Sequence, residues 1–208
     1  MESLYDTLGF EQLSESMNLI EVSEQGHLVP VIGCLEVGEN PNLQDPEDGT
    51  SALIMASTNG HEKIVETLIK YGATIDLQNN KGETALMAAA SFGHIEVAKM
   101  LLTAGADPAK ENKRGNTSFG LAAWNNRPLI LIEFIKNGIN IELKNGAGFT
   151  ALHLSCYNNS YESMKILLEY RADPTVANID GIIPLDYSHT QRLWKRFLDY
   201  YKTDSRFK

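Results

Sequence analysis

The sequence predicts an all-α solenoid of about six stacked helix–turn–helix units joined by β-hairpin-like fingers. Three observations carry this. Equivalent segments open at Gly49, Gly82, Gly115, Gly148 and Gly181, and each interval is 33 residues. Every period holds two short apolar runs of helical spacing separated by Gly or Asn, which reads as an antiparallel helix pair. Neither helix can bury its apolar stripe alone, so stacked neighbours must share one core, which takes about three or more units.

The units can be followed in order. The first is degenerate and acidic, keeps Gly26-His27 and Gly38, and is followed by one extra residue near Asp45-Pro46. The second carries Gly60-His61 and Gly72. The third shows the full pattern: Ala85-Leu86-Met87-Ala88-Ala89-Ala90, Gly93-His94, Val97 to Leu102, then Gly105-Ala106-Asp107-Pro108. In the fourth and fifth units the first helix ends at Asn126 and Asn159, the next best residue to Gly for a left-handed backbone. Second helices end at Gly38, Gly72, Gly105 and Gly138, but at Arg171 in the fifth unit. Thr84, Thr117 and Thr150 stand before first helices as N-caps. Pro30 and Pro128 fall in the first turns of second helices, where a missing N–H costs little. Asp180-Gly181-Ile182-Ile183-Pro184-Leu185 opens the last unit. It leads into Gln191–Tyr201, where Leu193, Trp194, Phe197, Leu198 and Tyr201 share one helical face.

This pattern resembles the ankyrin repeat over roughly residues 14–188, and Thr150-Ala151-Leu152-His153 is the fuller family form. The resemblance implies an ankyrin-repeat solenoid with a degenerate acidic N-terminal cap. The expected organisation is a flank over 1–13, a repeat domain over 14–188 with units starting near 14, 48, 81, 114, 147 and 180, and a C-terminal capping helix and tail over 189–208.

Composition narrows the function. The net charge of the 208-residue chain is −9, which disfavours a nucleic-acid surface, since phosphate binding needs clustered positive charge. The charge is uneven. Residues 1–62 hold 12 acids and no Lys or Arg, and the last twenty hold six bases and two acids. Charge runs ordinarily face water; the alternative is a field that steers a partner with a basic patch. The start, Met1-Glu2-Ser3-Leu4-Tyr5-Asp6, has neither the positive nor the apolar region of a signal peptide. The longest apolar stretch, Leu28 to Leu35, is broken by Pro30 and Gly33 and falls far short of the ~18 residues of a membrane helix. The expectation is a soluble cytoplasmic monomer with no membrane or nucleic-acid partner.

Chemistry-bearing residues find scaffold explanations. His27, His61 and His94 recur with the repeat, about 8–10 Å apart, whereas zinc ligands converge to about 2.0–2.1 Å from one ion. Cys34 and Cys156 are expected as buried free thiols, four repeats apart and beyond the ~7 Å reach of a disulfide. The glycines of Asn145-Gly146-Ala147-Gly148 belong to a finger turn. No nucleophile elbow or phosphate-cradling loop occurs, so the reading is non-catalytic, with no metal and no cofactor.

The resemblance implies binding of a protein partner through the fingertips and the concave face of the first helices. Just before the Gly or Asn that ends each first helix stand Thr58-Asn59, Ser91-Phe92, Trp124-Asn125 and Tyr157-Asn158. Trp124 and Tyr157 are in strict register, and Phe92 falls one residue later in its unit. The candidate contact set is Phe92, Trp124, Asn125, Tyr157 and Asn158, with the fingertip residues Phe149, Arg114, Lys113, Asn116 and Glu83. Packing between neighbouring repeats is the competing explanation of the aromatics. An adaptor or inhibitor is the leading form. A microbial effector acting on host proteins, hinted at by 16 Asn, 16 Ile and a Lys to Arg ratio of 12 to 6, and a regulatory subunit of an enzyme are the alternatives.

Overall fold

The computed structural model describes residues 18–187. Among them ten α-helices alternate as first and second members of five pairs. They are α1 (Leu19–Glu24), α2 (Leu28–Glu36), α3 (Ala52–Asn59), α4 (Glu62–Lys70), α5 (Ala85–Phe92), α6 (Ile95–Thr103), α7 (Ser118–Trp124), α8 (Pro128–Lys136), α9 (Ala151–Tyr157) and α10 (Tyr161–Glu169). A 3-10 turn at Pro184–Tyr187 follows in the place of a sixth first helix. The expected flank, and the capping helix with its stripe of Leu193, Trp194, Phe197, Leu198 and Tyr201, lie outside the described residues.

Asn18 caps α1, its side-chain oxygen accepting the Glu21 N–H at 2.9 Å, and the other four first helices start at a hydroxyl. The side chains of Ser51, Thr84, Thr117 and Thr150 accept from the N–H of Ile54, Met87, Gly120 and His153. Such a cap is worth about 1 kcal/mol. The odd-numbered helices pack side by side in one layer and the even-numbered in a second. Side-chain size separates the layers. Ala56, Ala89, Ala122 and Ala123 let the first helices approach, while Leu68, Leu101, Leu131, Phe134 and Leu167 fill the space from the second. All of these are fully buried, and the rings of Phe119 and Phe134 lie 6.0 Å apart within the core.

Between pairs the chain folds into fingers with almost no sheet: the one bridge among the described residues joins Gln44 to Ser51. The closure is by asparagine. Oδ1 of Asn79 accepts the N–H of Lys81 and Glu83, Asn112 those of Arg114 and Asn116, Asn145 those of Ala147 and Phe149, and Asn178 those of Asp180 and Ile182. The first finger carries the extra residue: Asp45 N–H reaches Thr50, whereas Asn79 N–H reaches Glu83.

A second set of bonds staples each pair to the one before. Nε2 of His61 bonds the Glu24 carbonyl at 3.0 Å, and Nε2 of His94 bonds that of Thr58 at 2.9 Å. Arg127 Nε donates to Ser91 and Ser160 Oγ to Trp124 in the same positions. The large staples sit against glycine: a Cβ on Gly26 or Gly60 would fall 2.7 or 2.4 Å from the next imidazole. Where the staple shrinks to Ser160, the facing residue is Asn126, at φ +53°, whose side-chain oxygen accepts the Ser163 N–H. Gly→Asn and His→Ser are thus one paired exchange.

Arg171 keeps the left-handed geometry of the glycines it replaces, at φ +70°. A Cβ at Gly38, Gly72, Gly105 or Gly138 meets nothing within 4 Å, so the cost of Arg171 is a backbone cost. Arg171→Gly is expected to raise stability by about 1 kcal/mol. A rise in denaturant midpoint at unchanged slope checks this.

Candidate interaction surface

Helices α3, α5, α7 and α9 contain no charged residue. Phe92, Trp124 and Tyr157 are the last residues of α5, α7 and α9, and Asn125 and Asn158 follow as C-caps. The Trp124 and Tyr157 rings, one period apart, stack with centroids 5.4 Å apart and planes at 26°. Trp124 is half-buried and Tyr157 is 51% exposed. The tryptophan therefore packs between repeats and also borders the open surface.

The row continues through a residue that sequence reading missed. Tyr187, in the 3-10 turn, lies 5.6 Å from Tyr157 and 5.4 Å from Phe149. Counting 33 residues on from Leu154 reaches it, whereas counting on from Tyr157 reaches Thr190. Phe149 is half-buried, its ring 5.5 Å from His153. Phe92, 55% exposed, stands apart and stacks on His94 at 6.5 Å.

The amides at the same helix ends are partly committed to the scaffold. Asn125 Nδ2 donates to the Leu121 carbonyl at 2.9 Å, and Asn158 Nδ2 to that of Trp124 at 2.8 Å. Lys113 and Arg114 are exposed at the third fingertip, while Asn116 is half-buried. Glu83, also half-buried, accepts from Asn79 Nδ2 at 3.1 Å. The cysteines differ from expectation in one respect. Cys156 is buried, but Cys34 is half-exposed at the edge of α2, and both are free. Partial burial and the nearby Glu39 carboxylate push the Cys34 thiol up to about 11, and burial raises Cys156 further. Neither is an activated thiolate.

A family model for ankyrin repeats (3 copies) matches residues 19–112, and one for ankyrin repeats (many copies) matches residues 134–188. The chain belongs to the ankyrin-repeat family. No curated protein matches it. Ankyrin repeats are generally protein–protein interaction modules and typically non-catalytic. Among the described residues no helix is long and apolar enough to cross a membrane.

Of the ankyrin units described, only the fifth has the histidine of the family start. His153 is fully buried. Its Nδ1 accepts the Thr150 N–H at 3.1 Å and its Nε2 faces the Ile182 carbonyl at 3.1 Å, which fits the neutral Nε2–H tautomer. Burial holds its pKa below the ordinary 6.5, and Lys144 adds to the effect. A histidine depressed in the folded state binds its proton more readily when unfolded, so its contribution is present above about 6.5 and is lost as pH falls below it. Stability should drop between neutral and mildly acidic pH. His153→Met, which copies Met87 of the third unit, should flatten that drop in denaturant midpoints.

Proposed function

We propose that this ankyrin-repeat protein is an adaptor or inhibitor that works by occupying the surface of a partner protein. The contact runs along the last turns of the first helices and over the fingertips. Trp124 and Tyr157 as a stacked pair, and Phe92 as a separate ring, supply rigid apolar area. Asn125 and Asn158 offer acceptor oxygens, and Lys113, Arg114, Asn116, Glu83 and Phe149 form the rim. The observation that carries this reading is the exposure of Tyr157 and Phe92, 51% and 55%, on helices without a single charge. Core packing does not demand aromatics there, because the second unit has Thr58-Asn59 at the equivalent positions. Open aromatic area on a folded protein marks an interaction site, and aromatics dominate interface energetics.

The test is a capture experiment with the wild type beside Trp124→Ala/Tyr157→Ala. Proteins held by the first and lost from the second are the partners; identical captures would remove the aromatic face from the reading. The acidic N-terminal end, with 12 acids and no Lys or Arg in residues 1–62, should steer a basic partner surface. Its association rate should fall as salt rises, within the screening of a Debye length of about 8–10 Å. A rate indifferent to salt leaves the acidity with solubility alone.

A further inference from the structure

The fingers are five copies of one turn, and one of them differs where it matters chemically. In three of them the residue after the closing asparagine gives its N–H to a backbone carbonyl of the preceding finger: Asn80 to Asp48 at 2.7 Å, Lys113 to Lys81 at 2.9 Å and Ile179 to Ala147 at 3.4 Å. Gly146 instead donates to a carboxylate, Oε1 of Glu111, at 2.7 Å. The cause lies in the repeat register. Gln44 and Gln78 use their Nε2 to donate to the carbonyls of Gln78 and Glu111. Glu111 takes the next place in that row, cannot donate, and turns to accept.

The acceptor meets a reactive dipeptide. Three Asn–Gly bonds occur in the chain. At Asn59–Gly60 and Asn137–Gly138 the glycine N–H is held by a helix carbonyl, that of Ala56 or Ile135. At Asn145–Gly146 it is held by a potential base. The electrophile is prepared as well, since Asn145 Oδ1 accepts from Ala147 at 3.1 Å and from Phe149 at 2.9 Å. Two N–H donors at that range are what a developing oxyanion needs. A carboxylate at 2.7 Å is within reach for general-base catalysis. Asn112 and Asn178 have the same pair of donors, but the residue following each is not glycine and its N–H faces a carbonyl.

We propose that Asn145–Gly146 is a self-modification site at which Glu111 is the general base. Glu111 takes the Gly146 amide proton as that nitrogen attacks Asn145 Cγ. The N–Cγ bond forms, and the negative charge rests on Oδ1 beneath the Ala147 and Phe149 N–H groups. Collapse breaks the Cγ–Nδ2 bond, and the proton returns from Glu111 to the departing nitrogen, which leaves as ammonia. Water then opens the succinimide at either carbonyl, giving aspartate or isoaspartate with no change in oxidation state. Gly146 and Glu111 are both exposed, so water reaches the ring. The isoaspartyl form adds a backbone methylene inside the finger and shifts Phe149, whose ring packs on His153 and Tyr187.

The experiment ages the full-length protein at neutral pH and maps its peptides by mass spectrometry, separating aspartate from isoaspartate. Asn145 should convert at least about tenfold faster than Asn59 and Asn137. Glu111→Gln keeps an acceptor oxygen for Gly146 but no base, and should slow Asn145 by about a hundredfold or to the level of the other two sites. Glu111→Asp retains a base at shorter reach and should fall between, and it decides the question if Glu111→Gln loses helical circular dichroism. Conversion at Asn145 no faster than at the other two sites overturns the proposal. So does a rate that neither substitution changes.

Discussion

Gly60→Ala should lower stability by about 2–3 kcal/mol, a large effect for one added methyl group. Gly60 sits at φ +73°, where an L side chain costs about 1–2 kcal/mol. The new Cβ would also lie 2.4 Å from Nδ1 of His94. Something must move, and the mobile group is the imidazole, whose Nε2 bonds the Thr58 carbonyl at 2.9 Å. Displacing it forfeits a hydrogen bond worth about 0.5–1.5 kcal/mol. The two parts separate in a double-mutant cycle. In a His94→Ala background the backbone cost remains and the collision is gone, so Gly60→Ala should cost less by at least about 0.5 kcal/mol. Additive losses in denaturant unfolding would mean the imidazole is not what Gly60 makes room for. The molecule carries its own version of the remedy, since Asn126 occupies the equivalent site only where the staple is Ser160.

Much of the fold can be read in the sequence because one period of 33 residues repeats every local rule. Hydroxyl caps, left-handed helix ends and apolar runs agree at each recurrence, so an error at one unit is corrected by the next. The left-handed backbone at Asn126, Asn159 and Arg171 follows from position alone. The site is less legible, because function uses departures from the period. Tyr187 escaped notice since its partner in register is Leu154, not another aromatic. The stacking of Trp124 on Tyr157 could be expected from equal positions, but the half-burial of Trp124 depends on how closely α7 and α9 approach. The contact between Glu111 and Gly146 needs two departures at once, a glutamate in a glutamine row and a glycine at a fingertip. Neither points to the other until the fingers are stacked. The acidic start and the aromatic stripe after residue 187 remain expectations from sequence.

Trp124→Ala should weaken partner binding by at least about 2 kcal/mol, about thirtyfold. The indole stacks on Tyr157 at 5.4 Å and is half-buried, so its truncation removes both an inter-repeat contact and a piece of the proposed contact surface. Its cost to folding should be well below the about 3–5 kcal/mol of a core tryptophan, because part of the ring already meets solvent. One variant thus reports on both roles. The decisive measurement is denaturant unfolding of Trp124→Ala beside calorimetric titration of the same sample with the partner recovered through the aromatic face. A binding loss of thirtyfold or more with a modest stability loss is the predicted result. A core-sized loss of stability, with the folded fraction binding as the wild type does, would contradict it and make Trp124 a packing residue alone.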